Sequence, residues 1–430
     1  MGTRWSWSRG TERASAALAL ALVALAAGCT GGPSPRGSAT PGTAPGRVAA
    51  GPSWTPVALP AAGTGRPVVQ DVAACAGRWY ASGGYLAADG STRPALWTSG
   101  DARSWVELPV QPTSVYGPSQ LLTSVACRDT LVVAIGATSG GVHANPRVST
   151  WAGAPGGPLS EQSAPFELFG GPDAIGVSRL AATAGAPGGS AAGALGGSAA
   201  AVPAAPGWLI LGAWQDANGQ AGAAVWVAPD GRAFRRVDAD PALESGPSGP
   251  TVARDAIAGP GGFTMVGSAG TQGGSVVARA PAVWTSADGL RWQRVPVPAG
   301  GEDEEPQLVL ADQRGVLAVG VRGGGFGSWR GPAADGSGAW RPSGRFGDFA
   351  GTGLPAVSGL AAGPSGDDYA LVGDGARYRL WSSPDGTAWT QRQLPVPVPV
   401  GGERWAVLAG AGGRLLLAVE DGATSRLWLD

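Results

Sequence analysis

A short phrase recurs along this chain: a tryptophan, a polar turn and a second aromatic, as in WTSADGLRW from Trp284 and WSSPDGTAW from Trp381. A chain built from copies of one supersecondary unit cannot bury each copy alone, so the copies must pack on one another. Asp-Gly between two β-prone runs marks a tight hairpin, because the turn needs residues that tolerate positive φ. Divergent copies start at Trp97 (WTSGDARSW) and at Trp226 (WVAPDGRAF), where Phe234 takes the second aromatic place. Trp151, Trp329 and Trp428 hold the first position in weaker copies, and Trp340 supplies the second aromatic after Trp329.

Two further strand-like runs precede each hairpin. The sixth copy displays all four: Val357 to Ala361, Tyr369 to Gly373, Tyr378 to Ser382 and Trp389 to Leu394. Four short antiparallel strands separated by Gly, Pro and Asp describe one blade of a β-propeller. The second-strand equivalents are Trp79 to Gly83, Leu131 to Gly136, Trp208 to Gly212, Phe263 to Gly267 and Val316 to Gly320; their final Gly reads as a turn. Complete units begin near Val68, Leu121, Ile175, Thr251, Pro306 and Pro355, and a last one, from Glu403, stops after its third strand. The missing strand has a counterpart at Ser53 to Pro60, SWTPVALP, of the same type as SWVELPV from Ser104. The expected fold class is therefore all-β: a seven-bladed β-propeller closed by pairing of an N-terminal strand with the last three strands, which leaves no open sheet edge.

The hairpin phrase resembles the Asp-box of the BNR-repeat family, found in sialidases and other secreted propellers: Ser or Thr, any, Asp, any, Gly, any, any, aromatic. Ser286, Asp288, Gly289 and Trp292 match its residue types, as do Ser383, Asp385, Gly386 and Trp389, with one residue fewer between Asp and Gly. Ser99, Asp101 and Trp105 match without the Gly, and Asp230, Gly231 and Phe234 match without the Ser. The resemblance implies structural roles. A turn Asp accepts hydrogen bonds from nearby amides, a large aromatic at a fixed strand position packs between sheets, and in the family these turns lie away from the ligand face.

The N-terminus carries a second signal. Arg4, Arg9 and Arg13 precede an apolar run from Ala14 to Ala27, too short to span a bilayer with ordinary flanks. Its end, LAAGC, resembles a bacterial lipobox and so implies a lipid on Cys29. The expected organisation is a signal peptide over 1–28, a Gly/Pro/Ser/Thr-rich tether over 29–52, and the propeller over 53–430 with a disordered insertion at about 181–206. The protein would be exported and lipid-anchored to the outer face of the bacterial cytoplasmic membrane, with full secretion as the alternative. Cys75 and Cys127 then remain as an even pair at matching places in neighbouring blades: a disulfide candidate, with two buried thiols the alternative.

Net charge is -1 and every basic residue is an Arg, with no basic stripe of the kind nucleic acid requires. The acidic run Glu302 to Glu305 reads as a solvated loop. His143 is the only histidine, so no multi-His metal site can form, and a Ser-His-Asp triad would have to recruit it without a nucleophile elbow nearby. The sialidase-like alternative would need an Arg cluster beside a Tyr–Glu pair, and no such set is assignable among the five Tyr. The expectation is a monomeric, surface-tethered, non-catalytic propeller without metal or cofactor. It would bind a protein, glycan or cell-wall ligand or scaffold an envelope complex; the alternative is an exo-sialidase-like glycoside hydrolase acting on extracellular sugars. The contact surface expected for binding is formed by second-to-third-strand loops and blade connections, carrying Tyr85, Arg93, Tyr116, His143, Arg147, Trp214, Asp216 and Arg322.

Overall fold

The computed structural model describes residues 49–60, 65–128, 130–140, 145–182, 207–216, 219–246, 249–259, 261–273, 276–300, 303–333 and 338–430. The expected signal, Cys29, most of the tether, His143 and nearly all of the low-complexity insertion lie outside these residues. Ala181 and Ala182, counted with that insertion, are instead strand residues paired with Leu209 and Trp208. Their alanine-rich composition hid a strand edge.

The described chain is all-β. Strand β1 (Thr55–Val57) precedes a first four-stranded antiparallel sheet, β2 (Arg66–Cys75), β3 (Arg78–Leu86), β4 (Thr92–Ser99) and β5 (Val106–Leu108). The second sheet holds β6 (Val110–Gln111), β7 (Leu121–Arg128), β8 (Leu131–Gly140), β9 (Asn145–Gly153) and β10 (Leu159–Glu161); β6 joins β10 in parallel at its edge. The third comprises β11 (Ala174–Ala182), β12 (Trp208–Gln215), β13 (Ala221–Ala228) and β14 (Arg235–Arg236). The fourth comprises β15 (Thr251–Gly259), β16 (Gly262–Gly273), β17 (Val276–Ser286) and β18 (Gln293–Val295). The fifth comprises β19 (Glu304–Asp312), β20 (Gly315–Arg322), β21 (Gly325–Arg330) and β22 (Arg341–Asp348).

The remaining strands form one eight-stranded sheet made of two runs. One is β23 (Ala356–Ala362), β24 (Asp368–Gly373), β25 (Tyr378–Ser383) and β26 (Thr390–Arg392); the other is β27 (Arg404–Ala411), β28 (Arg414–Asp421) and β29 (Ser425–Leu429), completed by β1. A single parallel pairing, Gly359 with Leu408, joins the runs. Strand β1 lies antiparallel to β29, with Thr55 opposite Leu429 and Val57 opposite Leu427.

Alternating apolar residues on both faces of each sheet divide the core into layers. Tyr80, Leu96, Leu122 and Trp151 fill the space between the first and second sheets, while Leu209, Val225, Met265 and Trp284 fill that between the third and fourth. Leu416 and Leu427 pack with Val69 and Trp97 of the first sheet. The repeated Trp97, Trp151, Trp226, Trp284 and Trp329 are fully buried. Two-sided burial of this kind explains why the second strands read as near-continuous apolar runs.

The repeated glycines serve a different purpose from the one the sequence suggests. Most second strands continue past the Gly: β3 runs three residues beyond Gly83, and β16 six beyond Gly267. The glycines of the first five copies instead face a β-bulge in the first strand, at Val69/Asp71 and Ala253/Asp255 for example. A Cβ on Gly83 would lie 1.8 Å from the Val68 carbonyl oxygen, and one on Gly267 1.8 Å from that of Val252. Close backbone approach at a bulge, rather than a turn, selects Gly here.

The bulges also aim polar side chains across to the next first strand. Asp71 accepts the Val125 amide at 3.1 Å, Ser124 that of Leu180 at 3.3 Å, Asp255 that of Val309 at 3.0 Å and Gln307 that of Val357 at 2.8 Å. A disulfide links Cys75 to Cys127, with Cα atoms 6.0 Å apart, and so ties the first sheet to the second.

Candidate functional site

The Asp-box carboxylates are consumed by their own hairpins. Asp101 accepts the amides of Ser104 and Arg103, both at 2.8 Å, and the Ser99 hydroxyl at 2.9 Å. Those bonds hold its carboxyl down at about 2. Asp288 takes the amides of Leu290 and Arg291 with the Ser286 hydroxyl, Asp385 those of Thr387 and Ala388 with Ser383, and Asp230 those of Arg232 and Ala233. The second aromatics Trp105, Trp292 and Phe234 are buried, while Trp389 stacks on Phe346. Trp105 and Trp292 each donate to a carbonyl within the turn, those of Ala102 and Gly289.

The residues expected on the contact surface are dispersed. Tyr85 is 2% exposed; its hydroxyl donates to Glu107 at 2.7 Å and accepts from the Trp97 indole, so it is a core residue and not a surface one. Arg93 lies over the Tyr85 ring and pairs with Glu107 at 2.8 Å. Arg322 is held by Glu304 at 2.9 Å, Trp214 is covered by Arg236, and Asp216 accepts the Gln220 amide. Tyr116 and Arg147 do come together, with the guanidinium 5.4 Å from the ring centroid.

The run Glu302 to Glu305, expected to be a solvated loop, is so only at the exposed Asp303; Glu302 lies outside the described residues, and Glu304 and Glu305 join a charge network, one of several among the described residues. Glu304 and Glu305 begin β19 and are wholly buried. Glu305 meets Arg254 at 2.9 Å and Arg279 at 3.3 Å, and accepts from Ser268 and Gln307. Burial, the largest single influence, raises its carboxyl, yet the two guanidiniums and the Gln307 and Ser268 hydrogen bonds together hold it below the ordinary value. Arg279 also binds Asp303 through two nitrogens. Because both faces of β19 are covered, the consecutive Glu304 and Glu305 are both buried, which their acidic spelling concealed.

On the first strands, Arg179 reaches Asp255 at 3.2 Å and lies in the field of Asp71. Burial raises both carboxyls, and Arg179 opposes it. At the turn side of the fifth and sixth sheets, Arg330 bridges Asp312 at 2.5 Å and Asp368 at 3.1 Å. Burial, and then the Asp312 charge, push Asp368 up to about 7.

An Arg cluster beside a Tyr–Glu pair is the constellation that a sialidase-like active site would need. The cluster Arg254, Arg279 and Arg322 belongs to the fourth and fifth sheets, and the Tyr85–Glu107 pair to the first. Burial raises the Tyr85 hydroxyl, and the hydrogen bond to Glu107 adds to this, which opposes its use as a nucleophile.

Among the described residues, a recess lies at the fifth sheet and its border with the sixth. Two adjoining hollows of ≈ 580 and ≈ 250 Å³ share Phe326, Gly347 and Asp348. Their walls come from the β20–β21 turn, the connection after β22 and the β24–β25 turn, the kinds of loop expected to make contacts. Phe346 underpins the recess, stacked on Phe326 and on Trp389 at centroid separations of 6.0 and 4.5 Å. Trp381 contributes its indole, whose buried N–H has no acceptor. Polar groups rim this floor: Asp348 is exposed, Gln391 is half-buried, and Asp374 accepts Arg379 and two amides at 2.8 Å. Burial raises the Asp374 carboxyl, but the Arg379 bond and the amides overcome it and keep the group ionised. Apolar faces with a few fixed polar groups suit recognition of a neutral or weakly charged ligand. Sequence reading missed these residues; the clustered aromatics of GFGSWR and GRFGDF were the available signal. Among the described residues no cluster of His, Cys, Asp and Glu forms a metal-binding group.

No protein-family model matches the sequence, and no curated protein matches it. Among solved structures, the chain is similar to a Trypanosoma rangeli sialidase in complex with the inhibitor DANA, at 11% identity over 85% of this chain and 55% of that one, TM-score 0.40. It is also similar to a protein from Lactobacillus plantarum, at 12% identity over 80% of this chain and 92% of that one, TM-score 0.42. A Bombyx mori β-fructofuranosidase aligns at 10% identity over 85% and 88%, TM-score 0.32. The chain thus spans about half the length of the sialidase it matches.

Proposed function

We propose that this chain is a non-catalytic, surface-tethered binding module: a closed seven-bladed propeller, lipid-anchored through Cys29, whose recess between the fifth and sixth sheets takes a cell-wall or other extracellular glycan. Support for the closed ring comes from the order of contacts among first strands, β2 to β7, β11, β15, β19, β23, β27 and back to β2, together with the β1–β29 pairing. The observation that carries the glycan reading is the half-buried Trp381 indole, backed by the buried Phe326, beside the polar groups Asp348, Arg379 and Gln391. Sugars present apolar ring faces and outward hydroxyls, which such a surface matches in both respects. Separation of the Arg cluster from the Tyr–Glu pair favours recognition over sialidase-type hydrolysis.

The test is a screen of the intact protein against immobilised bacterial cell-wall and capsular saccharides, repeated with Asp348→Ala and Gln391→Ala. Retention of one saccharide class, weakened about tenfold or more by each substitution, is the expected result; a tenfold loss corresponds to ~1.4 kcal/mol. Unchanged binding by both variants would sink the assignment of the recess. Turnover of fluorogenic glycosides by the purified protein, abolished in Asp348→Asn, would establish the hydrolase instead.

A further inference from the structure

A second surface has a chemistry that the recess does not use. Arg147 stands on β9, and two connecting segments close on its side chain: Tyr116 before the short 3-10 turn Gly117–Ser119, and Phe166 opening the turn Phe166–Leu168. The guanidinium lies 5.4 Å from the Tyr116 ring centroid and 4.5 Å from that of Phe166. Its Nη1 is shut off from solvent with no acceptor, and among the described residues no carboxylate pairs with it. Arg66, Arg254, Arg279, Arg322, Arg330 and Arg379 are each held by a carboxylate. A cation that is partly desolvated and left without an anion favours any anion able to reach it.

Apolar surface flanks this cation. Phe166 is 48% exposed although it stacks on the guanidinium, and Val115, next to Tyr116, is 91% exposed. Arg and Tyr are the residue types that anchor protein interfaces, and an aliphatic side chain left in water beside them gains by being covered. With Nη1 enclosed, the edge of the planar guanidinium that can match a carboxylate through two parallel hydrogen bonds is Nε with Nη2. We propose that Arg147, clamped by Tyr116 and Phe166, is a docking site for an acidic peptide segment of a protein partner, with an Asp, Glu or C-terminal carboxylate on the guanidinium and an adjoining apolar side chain against Phe166 and Val115.

The site belongs to the second sheet and its flanking connections, so its failure would leave the recess between the fifth and sixth sheets unaffected. The test selects a displayed random hexapeptide library on the intact, immobilised protein, then measures synthetic copies of the recovered peptides by calorimetry. Enrichment of Asp or Glu beside an apolar residue is expected, with affinity falling as salt rises. Arg147→Gln should weaken binding at least tenfold, Arg147→Lys less, and Phe166→Ala several-fold, at unchanged melting temperature. Recovered peptides no richer in acidic residues than the starting library would overturn the proposal, as would equal binding by Arg147→Gln. Preference for uronate-containing saccharides over peptides, lost in Arg147→Gln, would overturn it too by assigning the site to a glycan.

Discussion

Asp312 and Asp368 share one guanidinium, that of Arg330, and only one of the two carboxyls can be fully ionised without cost. Asp368 is 0% exposed and one of its oxygens has no partner, which favours the protonated form. Its value rises from 3.8 in an open chain to about 7 in the fold. The folded state therefore binds this proton more tightly than the unfolded state does. The linked stability is complete below 3.8 and is lost as pH climbs towards 7. Asp368→Asn keeps an acceptor for Arg330 and offers a donor to Asp312, so the variant should melt above the wild type at pH 8 and lose that advantage near pH 4. Melting temperatures across that range check this; an equal offset at every pH would exclude the proton as the cause. Such a pair is invisible in sequence, since 56 positions separate two ordinary aspartates. The Asp-box residues were legible for the opposite reason: their partners lie within three residues, and local turn chemistry explains them completely.

Within each of the first five repeats, the bulge on the first strand and the glycine on the second form one device. The bulge swings a polar side chain towards the next sheet, and the missing Cβ lets the backbone close behind it. Gly83→Ala or Gly267→Ala should cost about 3 kcal/mol or more, because the obstructing atom is a backbone oxygen that cannot rotate away. Gly100→Ala, with open space around its Cβ, should stay within about 0.5 kcal/mol of the wild type. Urea titrations of the three variants measure these differences, and equal midpoints would refute the packing account. Sequence reading located the glycines and misjudged their role. Period and spacing reveal that a position is special, whereas the register of a bulge depends on a neighbouring strand.

At the scale of the molecule, the repeated phrase made the all-β architecture and most strand boundaries readable. First strands begin within two residues of the expected starts at Leu121, Ile175, Thr251, Pro306 and Pro355. The recess was not readable, because its walls come from β21, β22, β24 and β25, and no short stretch spells it out. Residues 53–60 offer the sharpest test of the whole. Val57 and Leu59 pack against the layer that also holds Leu427 and Leu429. Losing two partly buried aliphatic side chains and three residues of pairing should cost about 2–4 kcal/mol. At this size that corresponds to a fall in melting temperature of roughly 3–5 °C. A deletion that melts with the intact protein would show that the strand contributes nothing to the stability of the fold.

The pairing of Thr55 with Leu429 also fixes an order of events during synthesis. β1 is made long before its partner, so it stays unpaired, and the outer edge of β28 stays uncovered, until β29 has been synthesised. A chain interrupted before β29 would leave β1 without its partner and β28 with an open edge. Synthesis of β29 therefore decides whether two strand edges far apart in the chain are covered or left adhesive.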